Sequence, residues 1–160
     1  MPQAHHAFER QNSQQTLAAG MEEYFTSNPF LLRGSTLSPD ARQFFLSHDV
    51  VHVLYGCGTS MPEEAVVKLS SIFGTTAGLS VLRGYRLHES FDIYRKLPVL
   101  DTLRAVVYAA YLVPRTVLRC LRQHRRWPWA EHERYLSVPL GELRAQFGIM
   151  VAHGGAASDA

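Results

Sequence analysis

Cysteine is scarce in this chain, and long hydrophobic runs are absent. The two cysteines, Cys57 and Cys120, lie far apart and in no spacing typical of a metal site or a redox pair, so we predict a reducing compartment and no disulfide framework. The greasiest stretch, residues 105–114, has about half of the roughly 20 apolar residues that a membrane-spanning helix needs. The polar N-terminus contains no secretory signal. These absences favour a cytoplasmic protein that does not cross a membrane.

Strong positive charge is also missing. The formal net charge is +2 for 160 residues, which argues against nucleic acid as a partner. Alternation of apolar and polar residues, the pattern of half-buried strands, is scarce, whereas apolar residues recur at helical spacing. We therefore predict an all-α fold, a single-domain bundle of about six helices over residues 15–150. Residues 1–14 and 151–160 are predicted to be disordered tails.

Start and stop signals bound the predicted helices. The clearest helix has Ser38 as its N-cap and Pro39 in its first position, and a Gly-Cys-Gly segment ends it after residue 55. The next helix starts at a capping box of Ser60 and Glu63 and is expected to continue to residue 78. Further helices are expected over residues 85–97, 99–126 with a kink at Pro114, and 140–147.

Two histidines on the helix that follows Ser38 predict a metal site. His48 and His52 are four residues apart, so both rings project from one face and can meet at one ion, as in H-E-x-x-H motifs. The helix is apolar almost all round, which indicates burial, and buried polar side chains need partners. Asp49 in the same sector can add a ligand or orient a ring. Glu64, in the first turn of the next helix, can fold back as a fourth ligand.

The spacing also leaves open roles for Asp49 and Glu64 that involve no metal. Asp49 can instead form an ion pair with Arg42 or a later arginine, and Glu64 can be a solvated first-turn charge. Neither alternative removes the histidine pair. We therefore predict His48, Asp49, His52 and Glu64 as metal ligands, with a divalent cofactor that is zinc or iron, because mixed nitrogen and oxygen ligands suit both.

The pattern around these residues resembles a known signature. His48-Asp49-Val50-Val51-His52, eleven further residues and Glu64 are similar to the H-D-x-x-H-x11-E motif of a coenzyme Q (ubiquinone) biosynthesis family, Coq protein four. Leu54, Gly56 and Thr59 match its H-D-x-W-H-x-L-x-G-x-x-T context. The segments 129–131 (WAE), 139–144 (PLGELR) and 147–149 (FGI) are similar to the family's W-x-E and P-L-x-E-x-R-x-x-x-G-I ending. The resemblance covers residues 35–149.

The resemblance implies an all-α fold and a divalent metal held by the four motif residues, which would also be the catalytic ones. It implies work on polyprenylated aromatic precursors of ubiquinone, at a membrane surface and among other quinone-biosynthesis enzymes. The associated reaction replaces the ring carboxylate at C1 by hydroxyl, so the resemblance predicts a metal-dependent decarboxylase, a lyase. A bound metal can chelate the carboxylate and a neighbouring oxygen and stabilise charge as carbon dioxide leaves.

A basic segment follows the most apolar stretch, residues 105–114. Four arginines at helical spacing precede two tryptophans: Arg115, Arg119, Arg122, Arg126, Trp127 and Trp129. Such a face suits anionic lipid headgroups or a prenyl diphosphate, and it predicts peripheral contact with the inner face of the membrane. The alternative is a core helix whose basic end is solvated. The apolar helices also favour a homodimer.

Two other functions stay open at this point. The first is a non-catalytic isoprenoid-binding or scaffold protein that organises biosynthetic enzymes and holds a structural metal. The second is a phosphohydrolase of the HD type, suggested by the adjacent histidine and aspartate. That class needs an upstream histidine and a downstream aspartate from other helices. The only upstream candidates, His5 and His6, lie in the predicted tail, which argues against it, whereas Asp92 or Asp101 beside the pair would favour it.

Overall fold

The fold is all-α, which confirms the prediction. The computed structural model describes residues 6–29, 31, 38–88 and 99–152, with the backbone alone at 85–88 and 99–109. These residues contain no strand. They form six α-helices: α1 (Leu17–Ser27), α2 (Pro39–Tyr55), α3 (Met61–Phe73), α4 (Val81–His88), α5 (Val99–Leu121) and α6 (Leu140–Phe147). Short 3-10 turns lie at Ala7–Glu9, Gly78–Ser80 and His132–Tyr135.

Helix α2 has the predicted limits. The Ser38 hydroxyl accepts a hydrogen bond from the backbone N–H of Ala41 at 3.2 Å, and Pro39 occupies the first turn, where its missing N–H is not needed. Gly56 ends the helix with a φ of 62°, a left-handed conformation that glycine adopts without strain. Local chemistry at both ends therefore sets the length of the helix that carries the two histidines.

Helix α3 begins at the predicted capping box. The Glu63 carboxylate accepts hydrogen bonds from the backbone N–H of Ser60 at 3.2 Å and from that of Gly58 at 2.9 Å. These bonds tie the first turn of α3 to the loop that follows α2. The start of α3, and with it the position of Glu64, is therefore set by local contacts.

The prediction that this helix continues to residue 78 is wrong. Helix α3 ends at Phe73 because the chain then pairs with a distant segment. The Gly74 carbonyl accepts a hydrogen bond from the Trp127 N–H at 2.9 Å, and the Thr76 N–H donates to the Trp127 carbonyl at 2.8 Å. A side chain at Gly74 would also collide with the Tyr55 hydroxyl, so this glycine serves a close approach.

Two other helices differ from the prediction in extent. Helix α4 starts at Val81 rather than at residue 85, and residues 89–97 of the predicted helix lie outside the described part of the chain. Helix α5 contains Pro114 but ends at Leu121 rather than near residue 126. The chain leaves α5 because the His124 N–H donates to the Phe147 carbonyl at 2.9 Å, and the next residues carry Trp127 into the core.

The predicted tails are partly wrong, since residues 6–14 pack on the domain. Phe8 is buried, and the Gln11 side chain binds the backbone of Ile149 and of Val151. At the other end Val151 is buried, and the Ala152 N–H donates to the Tyr55 carbonyl at 2.8 Å. These polar segments are ordered because distant parts of the domain supply their hydrogen-bond partners. Residues 1–5 and 153–160 lie outside the described residues.

Helix α2 is central in the packing. It contacts both α1 and α3, and α3 packs on α5. Gly20 lets α1 come close to α2, because an added Cβ would lie 2.9 Å from a methyl carbon of Val53. The last turns of α2, which carry the histidines, are therefore enclosed between neighbouring helices.

Within the ranges described, no helix is both long enough and apolar enough to cross a membrane.

Candidate metal centre

Successive turns of α2 bring His48 and His52 together. The centroids of the two rings are 4.7 Å apart, and the ring planes meet at 71°. This is the contact expected of residues four apart on one helix face. His52 is fully buried, and His48 is 9% exposed. The two imidazoles therefore converge inside the bundle, as their spacing predicts.

Glu64, from the first turn of α3, completes the cluster. Its carboxylate oxygens lie 3.2 Å from Nε2 of His52 and 3.6 Å from Nε2 of His48. One ligand atom from each of the three side chains lies within 4.8 Å of the other two. The short loop between α2 and α3 allows this, because the capping box sets where α3 starts and so aims Glu64 back at α2.

The loop after α2 also sets which nitrogen of His52 faces the cluster. Nδ1 of His52 lies 2.8 Å from the carbonyl oxygen of Gly58, which can only accept, so Nδ1 carries the proton. Nε2 is buried and makes no hydrogen bond within the described residues. At 3.2 Å from a Glu64 oxygen, its lone pair requires a proton or a metal ion between the two atoms. Metal-binding histidines are commonly held in this way, by a carbonyl at the other ring nitrogen.

Asp49 lies on the other side of the His48 ring. Its Oδ1 is 3.5 Å from Nδ1 of His48, whereas Nε2 of the same ring faces Glu64. The sequence left two metal-related roles open for Asp49, that of a ligand and that of a residue that orients a ligand. The geometry matches the second role, in which a carboxylate holds a metal-binding imidazole from outside. His48, His52 and Glu64 therefore form the inner set, with Asp49 behind His48.

The carboxylates of Asp49 and Glu64 give the cluster negative charges that a bound cation would balance. Burial alone would lower the pKa of His48, but the carboxylates of Asp49 and Glu64 outweigh burial and raise this pKa to about 9. Burial alone would raise the pKa of Glu64, but the two histidines hold it well below its usual range. In the metal-free protein His48 therefore keeps a proton between two carboxylates, and a binding metal ion would displace it.

Two imidazoles and one carboxylate form a donor set for zinc or iron. Catalytic zinc typically takes three protein ligands, such as two histidines and a glutamate, and keeps one position open. The same set, with more open positions, holds non-haem iron in oxygenases. The side chain of Glu64 is 28% exposed and that of His48 is 11% exposed, so the cluster is accessible from one side. The residues present therefore fit a metal ion that can bind a further ligand.

Sequence reasoning missed Tyr24 of α1, which lies against the cluster. Its ring stacks on that of His52, with centroids 5.2 Å apart and planes at 29°. Burial, followed by the charges of Asp49 and Glu64, raises the pKa of Tyr24 well above its usual range. No motif connects α1 with the histidines. The only signal in the sequence is the place of Tyr24 on the apolar stripe of α1.

The four arginines of the predicted basic face do not all lie on one helix in the structure. Helix α5 ends at Leu121; the Arg122 N–H still donates to the Leu118 carbonyl at 3.1 Å and closes the last turn, whereas Arg126 lies beyond this turn and does not continue the face. The Arg119 side chain donates to the Ala152 carbonyl at 2.8 Å. Trp127, expected at a membrane interface, is fully buried because its backbone pairs with the chain after α3 and its ring enters the core. The prediction of four arginines on one helix beside an interfacial tryptophan is therefore wrong.

An HD-type phosphohydrolase would need an upstream histidine and a downstream aspartate beside the histidine pair. Among the described residues, no such side chain joins the cluster. Nδ1 of His6 lies 3.3 Å from a carboxylate oxygen of Glu23, and His6 does not belong to the cluster of His48, His52 and Glu64. His5, Asp92 and the side chain of Asp101 lie outside the part of the structure that is described. This alternative therefore gains no support from the described residues.

Comparison of the chain with protein-family profiles, curated proteins and solved structures gives no match. The side chains of His48, His52 and Glu64 define a donor set that fits a metal ion.

Proposed function

We propose that this protein binds one divalent metal ion through His48, His52 and Glu64. The observation that carries the proposal is the convergence of three ligand atoms within 4.8 Å. The Gly58 carbonyl supports it, because it fixes the proton on Nδ1 of His52 and directs Nε2 at the cluster. Asp49 supports it by occupying the far side of the His48 ring.

We further propose that the metal serves ubiquinone biosynthesis by binding a polyprenylated aromatic precursor. This part rests on the resemblance of the H-D-x-x-H-x11-E pattern to Coq protein four. Replacement of the ring carboxylate by hydroxyl releases carbon dioxide and adds an oxygen atom, so the reaction needs an oxidant such as dioxygen. When bound, the metal would supply the positive charge that holds the carboxylate and a neighbouring oxygen. Because zinc does not change oxidation state, oxygen chemistry at this centre favours iron.

The alternative of a scaffold with a structural metal is supported less well. Structural zinc sites are closed by four protein ligands, whereas catalytic sites keep an open position. Here three side chains form the inner set, and Asp49 contacts the outer nitrogen of His48. The partial exposure of Glu64 also suits access by a ligand. We therefore favour an enzyme.

Removal of Glu64 tests this proposal. We expect the purified wild-type protein to contain about one zinc or iron ion per chain and to carry polyprenylated aromatic lipid. Glu64→Ala should lose both, because the cluster would lose the one inner carboxylate that the described residues supply. Elemental analysis and mass spectrometry of the co-purified lipids measure the two quantities. Identification of iron would support the oxidative reaction.

Glu142 provides a matched control for Glu64. It is also an acidic residue in the first turn of a helix, α6, but it is exposed. Glu142→Ala should keep both the metal and the lipid. Full metal content in Glu64→Ala would contradict the site. Metal without any polyprenylated lipid in the wild type would contradict the substrate class and favour the scaffold.

We propose that the exposed face of α5 is the peripheral membrane contact. Tyr111, Leu118 and Leu121 are 59%, 53% and 64% exposed, and Arg115 and Arg122 lie exposed among them. Positions 111, 115, 118 and 122 follow the spacing of one helix face and its end. Apolar side chains beside arginines favour anionic lipid surfaces.

Charge reversal on this face tests the membrane contact. The double substitution Arg115→Glu and Arg122→Glu should lower binding to phosphatidylglycerol-containing vesicles by about tenfold or more, because each basic residue near such a surface contributes about 1 kcal/mol. Arg134→Glu, an exposed arginine that pairs with Glu131, is the control and should bind like the wild type. Co-sedimentation measures the binding. Equal sedimentation of the wild type and the double variant would contradict the proposal.

A further inference from the structure

The hydroxyl of Tyr24 is not explained by packing. Tyr24 is 0% exposed, and its Oη makes no hydrogen bond within the described structure. A buried hydroxyl without a partner lowers stability, and phenylalanine would fill the same space without that cost. The ring alone is sufficient for the stacking on His52. The hydroxyl therefore calls for a partner outside the described residues.

The surroundings of Tyr24 place it at the metal centre. Its backbone carbonyl accepts a hydrogen bond from the Asn28 side chain at 2.8 Å, and Oδ1 of Asn28 accepts one from the Thr59 hydroxyl at 3.2 Å. Thr59 belongs to the loop that joins the histidines of α2 to Glu64 of α3. Helix α1 is thus fastened to the segment that forms the cluster, which holds Tyr24 against His52.

We propose that the Tyr24 hydroxyl donates a hydrogen bond to an anionic oxygen, a carboxylate or a phenolate, that binds the metal ion of this centre. The inference rests on the proposed metal site. Three protein ligands leave a coordination position for such an oxygen. A hydroxyl donor beside it forms a charge-assisted hydrogen bond, stronger than one between neutral groups. Tyr24 thereby selects an anionic oxygen and orients the molecule that carries it.

Cobalt-substituted protein and acetate provide the test. Tyr24→Phe removes one oxygen atom and keeps the ring against His52. We expect the affinity for Co²⁺ to stay within about twofold of the wild type, whereas the affinity of the cobalt centre for acetate falls about ten- to hundredfold, the effect of one charge-assisted hydrogen bond. Visible absorption of the cobalt centre measures both affinities.

Tyr55→Phe is the matched control. Tyr55 is also a buried tyrosine, and it lies on α2 itself, but its hydroxyl accepts a hydrogen bond from the Gln123 side chain. This variant should bind acetate like the wild type. Unchanged acetate affinity in Tyr24→Phe, or a wild-type cobalt centre that binds no acetate, would overturn the role of Tyr24 and leave the metal site standing. Failure of the wild type to bind Co²⁺ would overturn both.

Discussion

Replacing Arg144 with methionine is expected to lower the free energy of unfolding by about 4 kcal/mol or more, the largest stability change that we expect in this chain. Arg144 is 0% exposed. Burial lowers the pKa of Arg144 to about 10, so the side chain stays charged at neutral pH. All of the hydrogen bonds that we observe from its guanidinium go to backbone carbonyls: those of Phe8, Arg10, Gln11, Val53 and Leu54.

The position of Arg144 explains the size of the effect. The last carbonyls of α2 have no partner within the helix, and the helix dipole is negative at this end. Nε of Arg144 donates to the Leu54 carbonyl and Nη2 to the Val53 carbonyl, both at 2.8 Å. The same guanidinium holds the segment 8–11 on the domain. Methionine offers no donor, so these buried carbonyls would lose the hydrogen bonds that the guanidinium donates.

Arg119→Met is the control for this substitution. Arg119 is half-buried and, among the described residues, donates to one carbonyl, that of Ala152. Its loss should cost about 1 kcal/mol, the usual contribution of one hydrogen bond. Urea unfolding followed by circular dichroism compares the two variants with the wild type. Similar small losses in both variants would show that Arg144 does not hold the domain together as proposed.

The second large effect concerns the metal. His52→Ala should lower metal affinity by about a thousandfold, because a total of about 10–16 kcal/mol shared among three protein ligands gives each of them about 3–5 kcal/mol. Asp49→Asn should lower it less, by about ten- to hundredfold, as is usual for a residue that orients a ligand. The difference follows from the contact of Asp49 with Nδ1 of His48 rather than with the cluster. Competition against a chromophoric chelator measures both variants.

A histidine outside the cluster supplies the control. His132 is 4% exposed and lies in the turn before α6. His132→Ala should keep the metal affinity of the wild type. If Asp49→Asn loses as much affinity as His52→Ala, Asp49 is itself a ligand, and the four-ligand set expected from the sequence is right.

The limits of α2 and the start of α3 could be predicted because their causes are local. The cap at Ser38, the left-handed glycine after Tyr55 and the capping box of Ser60 and Glu63 each act within a few residues. The end of α6 at Gly148 is of the same kind. Because those signals lie next to the residues that they control, the sequence alone is sufficient to find them.

The ends of α3 and α5 could not be predicted because their causes are distant. Helix α3 stops where the residues after it, Gly74 and Thr76, pair with Trp127, and α5 stops where the His124 N–H donates to the Phe147 carbonyl. Neither partner can be identified from the sequence near the helix that it ends. The order of residues 6–14 has the same origin, since Arg144 donates hydrogen bonds to that segment from the far end of the chain.

The sequence by itself determined the all-α class and the placement of His48 and His52 on one face, because helical periodicity depends on spacing alone. It also placed Glu64 within reach, because a short capped loop limits where the next helix can start. Only the tertiary structure decided which nitrogen of each histidine ring faces the cluster. It also decided that Asp49 contacts the outer nitrogen of His48 and that the Tyr24 ring packs on His52. Those features depend on hydrogen-bond geometry and on packing between helices far apart in the chain, which spacing does not encode.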